Sequence, residues 1–117
     1  MMPFSNTQRY FLYLLSTDMR KSFDGLSRLV SVEMEQDLLG GDVFIFINRR
    51  RDCMKLLVWD RTGFVIWYKR LESGTFELPQ AAVGGKELEM RWEELVMVLE
   101  GIHLKSITRR KRYSISV

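Results

Sequence analysis

The run Val43-Phe44-Ile45-Phe46-Ile47 constrains this chain more than any other segment. Its β-branched and aromatic residues favour an extended strand, whose successive side chains point to opposite faces of a sheet. Both faces of this strand are apolar, so it requires cover on two sides. Asp42 to Asn48, Cys53 to Asp60 and Gly63 to Leu71 read as three successive strands rich in Val, Ile, Phe, Trp and Tyr, separated by short polar turns. Short turns imply an antiparallel meander.

The segment before it supplies cover for one face only, since one long helix cannot cover both. Arg9 to Leu15 (RYFLYLL) reads as a short buried strand, and Ser16-Thr17-Asp18 offers an N-cap hydroxyl and a first-turn carboxylate for a helix that starts there. From Met19 the apolar residues recur as Phe23, Leu26, Val30 and Met34, one helical stripe that ends before the Gly40-Gly41 turn. Gly25 lies in that stripe, where it is expected to allow close packing on the sheet. Downstream, Thr75 to Leu78 adds a short strand, Gln80 to Gly85 a loop, Lys86 to Arg91 a further strand, and Trp92 to Glu100 a helix stopped by Gly101. The expected fold is α+β: an antiparallel β-meander sheet, one long N-terminal helix packed on one face, and a short C-terminal helix.

The length of 117 residues and the 46% hydrophobic content fit a single domain over 1–117 with its own core. The first residues, Met1-Met2-Pro3, carry no basic leader and Phe11 to Leu15 is too short for a membrane span, so a cytoplasmic location is expected, with no membrane partner.

Charge is more informative by position than by its total of +3. Arg49-Arg50-Arg51 and Arg109-Arg110-Lys111-Arg112 hold seven of the 18 basic residues, the second run forming a basic tail over 109–117. If the three strands run up, down and up, Lys69 and Arg70 return to the arginine end and Cys53 falls near Arg70. Five cations then share one rim, and arginine forks on a rim suit phosphate oxygens. The aromatics Trp59, Phe64, Trp67 and Tyr68 are read as core rather than as a base-stacking surface.

No catalytic constellation is legible. Asp18, Asp24, Asp42, Asp52 and Asp60 sit at a cap, on a helix face or at turn edges rather than clustered for two metal ions. Cys53 and His103 are the only residues of their kinds, which leaves no zinc site, no intrachain disulfide and no activated nucleophile motif. Gly40-Gly41 and Gly84-Gly85 lack the Lys-Ser/Thr that would follow in a phosphate-binding loop. No enzyme activity, metal or cofactor is expected.

The segment Thr17-Asp18-Met19-Arg20-Lys21-Ser22-Phe23-Asp24-Gly25-Leu26 resembles the TnpB, or Orf2-like, accessory proteins of the insertion-sequence-sixty-six transposon family. So do Asp42 to Arg51, Lys55-Leu56-Leu57-Val58-Trp59-Asp60, Gly63-Phe64, Tyr68-Lys69-Arg70-Leu71-Glu72 and Gly74-Thr75-Phe76, in order and spacing, and Glu93 to Ile102 with Arg110-Lys111-Arg112-Tyr113 at the close. This family is distinct from the RNA-guided nucleases that share the TnpB name. The resemblance implies a bacterial, element-encoded protein that assists a separate transposase beside a second accessory protein.

Two roles are compatible with it. In the first, Arg49, Arg50, Arg51, Lys69, Arg70 and Arg109, Arg110, Lys111, Arg112, joined by Arg20 and Lys21, contact the phosphates of DNA in the transposition complex. In the second, the chain is an adaptor that docks on the transposase or the second accessory protein, or on a second copy of itself, through the sheet face the long helix leaves uncovered.

Overall fold

The computed structural model describes residues 4–79 and 85–101. Strand β1 (Tyr10–Tyr13) is followed by helix α1 (Phe23–Arg28), which runs on as one π-helical segment (Leu29–Glu33). The strands β2 (Val43–Ile47), β3 (Cys53–Asp60) and β4 (Gly63–Arg70) come next, then β5 (Glu87–Met90) and helix α2 (Trp92–Leu99). Among the described residues no helix is long and apolar enough to cross a membrane.

The three expected meander strands pair antiparallel as read, with Val43 opposite Val58 and Asp60 opposite Gly63. The sheet as a whole corrects the expectation, because it is mixed rather than antiparallel. Its order is β4-β3-β2-β1-β5, and β1 lies parallel to β2 with Tyr10 opposite Val43. The chain between Tyr13 and Val43 is long enough to carry the crossover that parallel pairing needs. Strand β5 then closes the far side of β1, antiparallel to it.

The long N-terminal helix is also corrected. Only eleven residues are helical there, and they begin at Phe23 rather than at Thr17 or Asp18. The backbone N–H of Thr17 donates to the carbonyl of Ile47 at 2.8 Å, and the carbonyls of Met19 and Lys21 accept from the Lys55 ammonium at 2.8 and 2.7 Å. A helix starting at Asp18 would use those carbonyls internally, so the tertiary contacts override the local cap signal. The expected strand from Thr75 to Leu78 does not form. Phe76 instead donates its N–H to the Arg51 carbonyl at 2.7 Å and is fully buried.

Both faces of β2 are covered within one chain. Val43, Ile45 and Ile47 pack with Leu12, Leu56, Phe76 and the α2 residues Leu95, Val98 and Leu99. Phe44 and Phe46 pack with Phe11, Tyr13, Leu57 and the helix residues Leu26 and Val30. Each such large side chain, removed from water, contributes roughly 1.5–3 kcal/mol. The two-sided demand read from the sequence is met by one short helix per face. Gln80 to Gly84 and the tail 109–117 lie outside the described residues.

Candidate nucleic-acid interface

The turn between β2 and β3 is built around Asn48. Its Oδ1 accepts from the backbone N–H groups of Asp52 and Cys53 at 3.1 and 3.0 Å, and its Nδ2 donates to Asp52 Oδ1 at 2.7 Å. The Arg51 N–H donates to the Asn48 carbonyl, and Arg51 itself adopts a left-handed φ of 60°. The five residues from Asn48 to Asp52 thereby turn the chain, with Arg51 as the left-handed residue, a common hairpin solution. The effect is to hold Arg49, Arg50 and Arg51 at the tip, all exposed. Asp52 lies below the usual carboxylate range, first because Asn48 donates to it and also because Arg50 is close.

The β3–β4 register sets Cys53 opposite Arg70 and Met54 opposite Lys69. Both β4 cations therefore reach the arginine end, but alternation sends them to opposite faces. Arg70 is exposed on the face that α1 covers. Lys69 turns to the other face, where its ammonium donates to the carbonyl of Leu99 at 2.8 Å and complements the negative end of α2. Among the described residues, Arg49, Arg50, Arg51 and Arg70 make no ion pair within 4.0 Å.

Because β1 runs parallel to β2, the loop that follows β1 also arrives at this end. It carries Arg20 and Lys21, and the Thr17 to Ile47 hydrogen bond ties it to the end of β2. Arg20 is committed to Asp18, with its guanidinium donating to both carboxylate oxygens at 2.7 to 3.1 Å. That guanidinium, with the Arg20 backbone N–H, brings the Asp18 carboxyl down to about 2. Lys21 is exposed, and a Cβ added to Gly25 would lie 3.1 Å from the Cβ and Cγ of Lys21, so the glycine makes room for the lysine stem rather than for the sheet. Arg109, Arg110, Lys111 and Arg112 lie outside the described residues.

Two residues at this end carry more than the sequence reading assigned them. Lys55 is 8% exposed, is bound to the Met19 and Lys21 carbonyls rather than to a carboxylate, and lies 5.1 Å over the ring of Tyr68. Tyr68 is no core residue: it is 51% exposed. Contact with the buried Cys53 thiol is the first cause that holds its hydroxyl above the usual tyrosine value. The signal for Lys55 is a lone cation inside the apolar run from Cys53 to Val58, and the signal for Tyr68 is its place two residues before Arg70 on one strand face.

The assembled end offers hydrogen-bond donors and positive charge, which suit anion binding. Among the described residues no three His, Cys, Asp or Glu side chains are grouped for a metal ion. No solved structure matches the chain. It is 32% identical over 93 residues to the uncharacterized protein y4jC of Sinorhizobium fredii, a match covering 80% of this chain and 78% of the relative. It is 29% identical over 102 residues to the uncharacterized protein y4hO of the same organism, covering 87% of each. The family described as IS66 Orf2 like protein matches residues 8–109, nearly the whole chain and every described strand and helix, which supports an accessory role in transposition. The chain belongs to the IS66 Orf2-like (TnpB) family.

Proposed function

We propose that the chain assists transposition as a non-enzymatic module that binds DNA, or a DNA–protein complex, through phosphate contacts at the arginine end of its sheet. One observation carries this reading: Arg49, Arg50, Arg51 and Arg70 are exposed, share one end of the sheet and have no ion-pair partner among the described residues. Unpaired guanidinium groups bind phosphate oxygens in bidentate fashion and release counterions from DNA. Lys21 extends the same surface, and the sequence carries four further cations at 109–112, outside the described residues. Lys69 contributes positive potential while its donor serves Leu99, whereas the charge of Arg20 is answered by Asp18.

The test is binding of the purified protein to duplex DNA bearing the ends of the element, beside scrambled duplex, across a salt series. Affinity that falls steeply with salt supports phosphate contact, and preference for the ends raises the reading to site recognition. No binding at low salt overturns it. An adaptor role is the second reading, favoured by Leu15, Phe23, Val32 and Leu39, which are apolar and at least 45% exposed. Its partner would be the transposase, the second accessory protein or a second copy of this chain, and co-purification without DNA is its test.

A further inference from the structure

Resting on the DNA-binding reading, we propose that Tyr68 is a stacking site for an unpaired base, so that the arginine end takes DNA with a single-stranded extension in preference to continuous duplex. On β4, Phe64 and Ile66 pack into the α1-side core, whereas the next residue on that face, Tyr68, is 51% exposed. Arg70 follows on the same face, about 7 Å further along the strand and at the arginine end. An aromatic ring beside an unpaired guanidinium is the pairing that single-stranded nucleic-acid sites use, the ring for a base and the cation for the adjoining phosphate.

The surroundings fix the ring in place. Lys55 sits 5.1 Å over it, and that ammonium is itself held by the carbonyls of Met19 and Lys21. A ring supported this way loses little freedom when a base stacks on it. Lys55 is bound to no carboxylate among the described residues, so the positive charge beneath the ring is not cancelled locally and favours an incoming polyanion. Duplex DNA keeps its bases stacked on one another and gives Tyr68 nothing to stack on. A single-stranded extension does.

Three probes separate the contributions: a blunt duplex, the same duplex with a single-stranded extension, and the same duplex with an abasic extension that has the phosphates and lacks the bases. The full chain is expected to bind the extended duplex roughly tenfold more tightly than the abasic one at matched salt. Tyr68→Ala should remove that difference and leave blunt-duplex affinity unchanged, while Tyr68→Phe keeps it. Equal affinity for the extended and abasic probes, or a difference that survives in Tyr68→Ala, overturns the stacking site and leaves the phosphate reading standing. Failure to bind all three probes overturns both.

Discussion

The two ends of the sheet use arginine in opposite ways. At the end where β1 begins, Arg9 forks onto the Glu89 carboxylate at 3.0 and 2.8 Å, and its guanidinium lies 5.0 Å over the Phe11 ring. That charge is answered within the fold. At the other end the β2–β3 turn presents three arginines and β4 a fourth, with no ion pair among the described residues. What distinguishes the proposed binding surface from the structural end is the lack of an ion-pair partner among the described residues, since the residue type is the same. A net charge of +3 could not have located that difference.

Reversing the unanswered end should have the largest effect. The triple variant R49E/R50E/R51E is expected to reduce the salt slope of DNA binding by about three units, one for each phosphate that an arginine no longer neutralises, with the fold retained. Unchanged affinity would break the comparison. The matched variant R9E at the other end should leave DNA binding as it is.

Next in size is the support beneath the arginine end. Lys55→Met leaves the Met19 and Lys21 carbonyls without their donor, which should lower stability by about 1–3 kcal/mol in denaturant unfolding. Amide exchange over Thr17–Lys21 should accelerate in the same variant. Protection equal to wild type would show that the loop is held by other contacts.

A smaller effect is expected from the Asp18–Arg20 pair. Its folded value of about 2 lies below the ordinary 3.8, so its contribution is present above about pH 4 and is lost as the pH falls to about 2. Carboxyl titration by NMR should find the Asp18 midpoint near 2 and, in Arg20→Gln, a clear rise toward the ordinary range. The smallest effect belongs to the answered end, where both partners of the Arg9–Glu89 pair are largely exposed. Arg9→Gln should raise the midpoint of Glu89, which Arg9 now lowers, with no measurable change in the unfolding transition.

The arginine end was legible in the sequence because short turns tie sequence separation to register. Two hairpins leave little choice but to bring Arg70 back to Cys53, as the structure has it. The neighbours of β1 were not legible, since nothing local tells a strand whether the chain after it returns beside it or crosses over. The helix start differs from its sequence signal for a related reason. Ser16-Thr17-Asp18 has the chemistry of a cap, and the contact that prevents helix there comes from Lys55, a residue remote in sequence. Tyr68 escaped because strand aromatics are usually buried, and its exposure arises on an edge strand, past Phe64 and Ile66, which pack into the α1-side core. Lys69 shows the converse: its position at the arginine end follows from the hairpins, while its bond to Leu99 depends on where α2 ends.

The place of β1 between β2 and β5 has a consequence for the order of events during synthesis. The β2–β3 and β3–β4 hairpins close over short stretches of chain, so they can form as soon as they are made. Tyr10, by contrast, pairs with Val43 on one side and with Met90 on the other. Until the segment around Met90 leaves the ribosome, β1 carries an open edge of backbone donors and acceptors, which is the kind of surface that chaperones shield. Strand β1, made before the other described strands, is thus among the last to be completed, and the slow step of folding should track the arrival of β5.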